Sequence, residues 1–366
     1  MRLCHTESSN GWGGQEIRIL TEAAGLRERG HDVRLYCCPD SALVERAREA
    51  GLPVTVDRMA VGLDPRLVLR MLAHFRRARP QLVVTHSSVD SWGAGLAARL
   101  LRIPIVRVRH LSVPVGRHPA SRFVYRGLCD AVVTTGGAIR EHLIREVGLP
   151  AAKVTSIPTG IDTARFDPRK ATAGKVRQHF GIPADAPLVG MVAVLRDWKG
   201  HQVFLDALAA VRRRLPRTQA LLVGEGPQRR NIERRRHELG LDEAVILTGH
   251  REDIPDVLAD LDVVVSASTG AEGVPQALLQ AMAMERPVVA TAVGAVGEIV
   301  RSGETGQVVP PGDAARLARA ITEILTDPAA VRPQTVAAAR LVREQWDVRR
   351  MLDALEALYG RMAARR

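Results

Sequence analysis

Residues Leu261 to Thr291 read LDVVVSASTGAEGVPQALLQAMAMERPVVAT. Val263 to Val265 and Val288 to Ala290 are short, wholly apolar runs, the pattern of strands covered on both faces in a parallel sheet. Between them the spacing predicts a loop and then a helix. Gly270 and Gly273 allow open turns there, and Pro275 suits the first helical position, where a missing N–H costs nothing. A helix that starts at the carboxyl edge of a sheet presents unpaired N–H groups and a positive dipole end, which suits an anion. Glu272 in the same loop would repel a bare phosphate at close range. It is therefore expected to grip hydroxyls beside one, and phosphate plus polyol points to a nucleotide-sugar.

Strand and helix alternate on both sides of this stretch. In the first half, apolar runs at Arg2 to His5, Val33 to Cys37, Leu82 to Thr85, Ile105 to Val108 and Ala131 to Thr134 read as strands. Helical periods such as Glu16 to Arg29 and Ala94 to Leu101 separate them. Periodicity breaks from Pro158-Thr159-Gly160 to Pro168 and restarts with strands at Leu188 to Val194, Ala220 to Val223 and Val245 to Thr248. The fold class expected is α/β, with two Rossmann-like domains whose carboxyl edges face across a cleft. The domains would span residues 1–165 and 166–345, and a C-terminal helix at 346–366 could pack back on either unit, the first being expected.

A chain of 366 residues with 46% hydrophobic content is ample for two cores. The formal charge of +12 attracts nucleic acid, anionic membrane or phosphorylated substrates. Aromatics at 3% disfavour a base-stacking platform. Cys4, Cys37, Cys38 and Cys129 have no ligand or disulfide-framework spacing and read as buried thiols of a reducing compartment. Residues 1–20 lack an apolar signal region, and no run approaches a spanning length. A cytoplasmic protein is expected, with a peripheral membrane contact left open.

The loops at the expected carboxyl edges hold the unusual residues. Gly13-Gly14 follows the first strand and precedes a helix, a turn that lets backbone N–H groups approach a phosphate or sugar; plain turn geometry is the alternative. It is neither G-x-G-x-x-G nor a Walker loop. His110 ends the fourth strand and is either a sugar-contacting or acid/base group or a structural histidine. Arg196 and Lys199, three apart at a strand-to-helix turn, are placed to neutralise one diphosphate, unless they are two solvated surface cations. Glu225 in Gly224-Glu225-Gly226-Pro227 has the chemistry to accept from a ribose or sugar hydroxyl, and turn chemistry alone explains the stretch equally well. Thr248-Gly249-His250-Arg251 closes the third strand of this half and is expected either to wall a nucleobase, with Arg251, or to serve structure alone. Asp260-Leu261-Asp262 spells the metal-holding D-x-D pattern, but with Asp260 finishing a helix and Asp262 opening a strand the two carboxylates need not converge. No metal and no cofactor are expected beyond the donor substrate.

Taken together, these loops resemble glycosyltransferase family 4, retaining enzymes of GT-B fold. The resemblance covers nearly the whole chain and rests on Gly13-Gly14-Gln15-Glu16, Gly30-His31-Asp32-Val33, Ile157-Pro158-Thr159-Gly160-Ile161-Asp162, Arg196 with Lys199, Gly224-Glu225-Gly226-Pro227 and Glu272-Gly273-Val274-Pro275. The stretches His86-Ser87-Ser88 and Arg109-His110-Leu111-Ser112 are similar to members that build lipopolysaccharide core or related envelope glycans. The resemblance implies that Gly14 approaches the donor phosphate or acceptor, His110 contacts the transferred sugar, and Arg196 and Lys199 hold the diphosphate. Glu272 matches the first acid of the family's E-x7-E element, with backbone contacts from Gly273, Val274 and Pro275. The second acid is replaced by Gln280, which loses a charge-assisted bond to ribose and predicts nucleotide binding weaker by ~1 kcal/mol.

The implied reaction is retaining transfer of a sugar from a nucleotide diphosphate to a hydroxyl of a cell-envelope glycan or lipid-linked acceptor such as lipopolysaccharide core. The leaving phosphate would take the acceptor proton, so no protein base is required. From Pro65 to Arg79 a helical wheel puts Arg66, Arg70 and Arg77 opposite Leu67, Val68, Met71, Leu72 and Phe75, either a solvated face or an anionic-membrane contact. Two alternatives remain. A sugar-nucleotide epimerase of the same fold would need no acceptor. A non-catalytic nucleic-acid binder would explain the charge but leave Glu272 and the Arg196/Lys199 pair without purpose, so no nucleic-acid partner is expected.

Overall fold

A computed structural model of the protein describes residues 1–110, 115–116, 118–270 and 272–364. The chain divides into two compact units. Unit 1 holds Met1–Thr159 and the segment from Arg349 onward, and unit 2 holds Gly160–Val348.

Unit 1 is built on seven parallel strands: β1 (Arg2–Glu7), β2 (Asp32–Cys37), β3 (Val54–Val56), β4 (Leu82–Thr85), β5 (Ile105–Arg109), β6 (Ala131–Thr134) and β7 (Val154–Ser156). Their spatial order is β3-β2-β1-β4-β5-β6-β7. Unit 2 carries β8 (Leu188–Val192), β9 (Gln219–Val223), β10 (Val245–Gly249), β11 (Val263–Ser266), β12 (Val288–Thr291) and β13 (Gln307–Val309), in the order β10-β9-β8-β11-β12-β13. Both orders are the doubly wound Rossmann arrangement, which reverses direction between the first and fourth strands of each unit. At that reversal the neighbouring crossovers diverge and leave a crevice at the carboxyl edge. The β1/β4 and β8/β11 edges are therefore where each unit has room for a ligand.

Central strands such as Leu82–Thr85 and Ala131–Thr134 are buried at every residue, as their unbroken apolar runs imply. β3, β7 and β13 have three residues each and are only partly buried, so they left no apolar run to read. β8 stops at Val192 instead of Val194. Beyond it the chain bonds to the β9 loop instead, with Leu195 N–H donating to the Glu225 carbonyl at 2.9 Å.

The C-terminal helix Val348–Ala363 belongs to unit 1 from Arg349 onward. Tyr359 donates to Glu22, and Arg29 meets Asp353 at 2.8 Å and Glu356 at 2.9 Å. The chain leaves unit 1 at Thr159, slightly ahead of the 165/166 boundary read from the sequence. Ile161 already pairs within unit 2, its N–H donating to the Trp346 carbonyl at 2.7 Å and its carbonyl accepting from Val348 N–H at 2.9 Å. On the helix Pro65–Ala78, Leu67, Met71, Leu72 and Phe75 are buried as expected. The expected cationic row is incomplete, because Arg70 is tied to Asp57 at 2.7 Å. No described helix is long and apolar enough to cross a membrane.

Candidate active site

At the β8/β11 edge of unit 2, Lys199 Nζ lies 2.5 Å from Glu272 Oε1, and Ser268 Oγ donates to the same oxygen at 2.7 Å. Glu272 is only 6% exposed, so its charge is held by these partners and not by water. Two loops bring the pair together. Arg196, Trp198 and Lys199 sit on the turn after β8, whose 3-10 segment spans Asp197–Lys199, and Glu272 follows β11. Thr269 N–H donating to the Trp198 carbonyl at 2.8 Å stitches the loops to each other. Arg196 is exposed, with its guanidinium 5.2 Å from the Trp198 ring centroid. Arg196 and Lys199 thus share one turn with different partners, Lys199 being committed to Glu272.

Two glycines hold this edge in shape. Gly226 (φ 159°) presses on Leu195, where an added Cβ would lie 2.5 Å from the carbonyl oxygen. Gly294 (φ 53°), in the loop after β12, leaves no room for a Cβ beside the Glu272 carbonyl, which also accepts from Ala295 N–H at 3.4 Å. Gly224-Glu225-Gly226-Pro227 therefore brings its backbone against the Arg196 turn, while the Glu225 side chain points into an ion pair with Arg229 at 2.8 Å. Gly270 is not in the left-handed region expected of an open turn; a Cβ there would come 3.1 Å from Trp198 Cβ, so it serves close packing.

The helix after Glu272 is Gln276–Ala283, which makes Pro275 the N-cap and not the first helical residue. Its ψ of 116° is extended, while its carbonyl accepts from Leu278 N–H at 3.2 Å. Val274 is buried, and Gln280 is half-buried one turn into the helix. Arg251 stands apart in its contacts: it pairs with Asp253 at 2.6 Å and lies over Phe180 at 5.3 Å. The D-x-D acids are structural. Asp260 accepts from the N–H groups of Val176 at 2.8 Å and Arg177 at 2.9 Å, capping the helix Lys175–Phe180, and Asp262 accepts from Leu188 N–H at 2.7 Å.

The β1/β4 edge of unit 1 is organised by two acids. Glu7 is fully buried and accepts from Ser9 N–H at 2.7 Å, from Gln15 Nε2 at 2.5 Å and from the Ser87 hydroxyl. Asp90 is equally buried and accepts from Thr6 Oγ1 at 2.7 Å, His86 N–H at 2.9 Å and Ser87 N–H at 2.8 Å. Burial, reinforced by the charge of Asp90, pushes the Glu7 carboxyl up to about 7, and burial pushes Asp90 up to about 6. The Glu7 bonds tie the helix start after Gly13-Gly14 to the start of the helix Ser88–Leu100. Gly13 is the N-cap of the helix Gly14–Glu28 and is extended (φ −166°, ψ −163°), so it contributes a missing side chain and no unusual backbone. Gly14 is exposed in the first turn. His110, just past β5, is 9% exposed and in contact with His86, while Leu111 and Ser112 lie outside the described residues.

Residues 12–165 match the family model described as Glycosyltransferase Family 4, and residues 186–327 match that described as Glycosyl transferases group 1. A GDP-mannose-dependent alpha-(1-6)-phosphatidylinositol monomannoside mannosyltransferase of Mycolicibacterium smegmatis is 32% identical over 307 residues, covering 78% of this chain and 80% of that protein. The chain belongs to glycosyltransferase family 4. An alpha-D-kanosaminyltransferase of Streptomyces kanamyceticus is 28% identical over 316 residues, covering 80% of this chain and 81% of its own. Among solved structures, a Rickettsia africae glycosyltransferase superposes with a TM-score of 0.89 at 20% identity, covering 100% of this chain and 99% of its own. Anabaena HepE in complex with UDP-glucose gives 0.86 at 24% identity, covering 98% and 99%. These likenesses establish the GT-B fold of this family 4 glycosyltransferase. Neither matching model describes an epimerase or a nucleic-acid binder.

Sequence reasoning passed over Ser268, Gly294, Glu7 and Asp90. Ser268 and Gly294 lie in the loops after β11 and β12, where position at a carboxyl edge was a usable signal. Glu7 was an acid ending an apolar run, which a strand edge at a ligand site would explain. Asp90 carried the capping-box signature with Ser87 at the start of the helix Ser88–Leu100.

Proposed function

We propose that this glycosyltransferase moves a sugar from a nucleotide diphosphate to a hydroxyl of a cell-envelope glycan or lipid-linked acceptor, such as lipopolysaccharide core, with retention and without a metal. The observation that carries the reading is the desolvated Lys199–Glu272 pair at the β8/β11 edge, with Arg196 on the same turn. A departing diphosphate develops negative charge, and Arg196 and Lys199 neutralise it there in place of a metal. Glu272 takes sugar hydroxyls, Gly273, Val274 and Pro275 offer backbone contacts, Glu225 and Gln280 bind ribose, and Arg251 flanks the base. In unit 1, Gly13 and Gly14 approach donor phosphate or acceptor, and His110 contacts the transferred sugar. The bond from anomeric carbon to phosphate oxygen breaks, the acceptor oxygen bonds on the same face, and the acceptor proton goes to the leaving phosphate. The protein supplies orientation and charge.

The donor class is supported by the GDP-mannose dependence in the name of the mycobacterial relative and by the UDP-glucose complex of HepE. The lipid-linked acceptor is supported by the phosphatidylinositol monomannoside in that first name. A panel of UDP- and GDP-sugars tests the reading through slow donor hydrolysis and thermal shift. Expected is stabilisation by one nucleoside diphosphate and retained-anomer hydrolysis of its sugar, insensitive to chelator and lost in Lys199→Ala. An inverted product, conversion of the sugar while still attached to nucleotide, or binding of oligonucleotides but no nucleotide would overturn it.

A peripheral membrane contact is favoured by one surface. Val61 at 63%, Leu63 at 57% and Leu69 at 65% exposure lie on and just before the helix Pro65–Ala78, beside exposed Arg66 and Arg77. Apolar insertion flanked by cations suits an anionic bilayer, at about 1 kcal/mol per cation. Salt-sensitive binding to anionic vesicles, weakened by Arg66→Ser/Arg77→Ser and by Leu69→Ser, is expected; binding indifferent to both refutes the contact.

A further inference from the structure

Three buried histidines stand in a row along unit 1. His5 lies on β1, His86 follows β4 and His110 follows β5, and the strand order β1-β4-β5 makes them neighbours. His110 Nε2 is 3.0 Å from His86 Nδ1, and His86 Nε2 is 3.1 Å from His5 Nδ1. Ring centroids are 5.3 Å and 5.4 Å apart. At the far end, His5 Nε2 faces Glu22 Oε1 at 3.9 Å. Glu22 is fully buried, accepts a hydrogen bond from the Tyr359 hydroxyl, and has Arg18 Nε 3.9 Å from its other oxygen.

Each neutral imidazole has one N–H and one bare nitrogen, and each N···N bond takes one proton. Two such bonds across three rings therefore leave only two arrangements. In the first, every ring is protonated at Nε2 and points its proton toward Glu22. In the second, every ring is protonated at Nδ1, and His5 turns a lone pair toward a carboxylate. Electrostatics selects the first, because a buried carboxylate attracts an N–H and repels a lone pair at that distance. Burial lowers the affinity of all three rings for a second proton, in accord with a neutral row.

We infer that His86, His5 and Glu22 are positioning residues that lock His110 as the neutral Nε2–H tautomer, so that its Nδ1 accepts a hydrogen bond from a sugar hydroxyl. This rests on the reading of His110 as the sugar-contacting residue. A hydroxyl donating to Nδ1 keeps its own lone pairs for other partners, whereas an Nδ1–H would compete for them. The role differs from proton transfer: no proton leaves the row.

The experiment is ring-15N NMR of the full chain labelled at histidine, with the His110 signal among 11 histidines assigned by its loss in His110→Gln. The wild type is expected to show His110 with a protonated Nε2 and a bare Nδ1 near neutral pH. His86→Phe removes the acceptor, so the His110 signals should move toward a tautomer average and kcat should fall about tenfold, the scale of one lost hydrogen bond. His86→Gln offers a side-chain carbonyl and should restore both. A wild-type His110 that is Nδ1-protonated or cationic overturns the inference, as does a tautomer unchanged in His86→Phe. If His86→Phe does not fold, the wild-type spectrum and His86→Gln still decide. The tautomer is read without any sugar, so failure of the transferase reading would appear in kinetics alone.

Discussion

At the residue scale, the Lys199–Glu272 pair carries the most chemistry for the fewest atoms. Removing Lys199 strips the diphosphate of a point charge and leaves a 6%-exposed carboxylate without its cation. Lys199→Ala is expected to lower kcat/KM by roughly 100-fold, the size of one electrostatic stabiliser of a leaving group. In a double-mutant cycle on thermal stability with Glu272→Gln, the double variant should lose less than the sum of the singles; simple additivity would mean the two charges are not coupled. Gln280→Glu should tighten nucleoside-diphosphate binding by ~1 kcal/mol in calorimetry. Unchanged or weaker binding would remove Gln280 from the ribose site.

At the scale of elements, the site depends on loops held from behind. Gly294 sits at φ 53° with no room for a Cβ against the Glu272 carbonyl. Gly294→Ala must strain its own backbone and push the Glu272 loop, costing ~2 kcal/mol or more. Chemical denaturation should show the loss, and nucleotide affinity should fall with it. A variant as stable and as tight as wild type would show that the loop yields freely. The helix Gln276–Ala283 and its flanking strands were legible in the sequence because apolar periodicity and Pro275 mark them. The constraint on Gly294 was not, since it arises from a carbonyl more than twenty residues earlier in the chain.

At the scale of the molecule, buried titratable groups give stability a pH dependence whose signs oppose one another. Burial lowers His201 from 6.5 to about 4, with the Lys199 charge acting in the same direction. The unfolded chain then binds the extra proton between these values, so stability is full above about 6.5 and is lost as pH falls toward 4, by ~3 kcal/mol for this one ring. Glu7 and Asp90, raised to about 7 and about 6, work the other way and lose their contribution as pH rises. The His201→Gln variant should lose less stability than wild type between pH 6.5 and 4 in urea titrations. Parallel curves would show that His201 does not titrate there. The C-terminal helix is a second whole-molecule element: Tyr359→Phe removes the hydroxyl that donates to buried Glu22 and should cost ~1–3 kcal/mol in the same assay.

The sequence by itself determined the two parallel sheets, the family, and the carboxyl-edge loops with Arg196, Lys199, Glu272 and His110. Strand runs, strand-to-helix turns and their glycines are local patterns, and local backbone physics writes them into short stretches. Only the tertiary structure decided which partners these residues take. Lys199 binding Glu272, Arg70 spent on Asp57, the D-x-D acids spent on backbone N–H groups and the row His110-His86-His5-Glu22 all join positions distant in the chain. Their pairing follows from strand order, and strand order is set by the packing of whole crossovers, which no local pattern encodes.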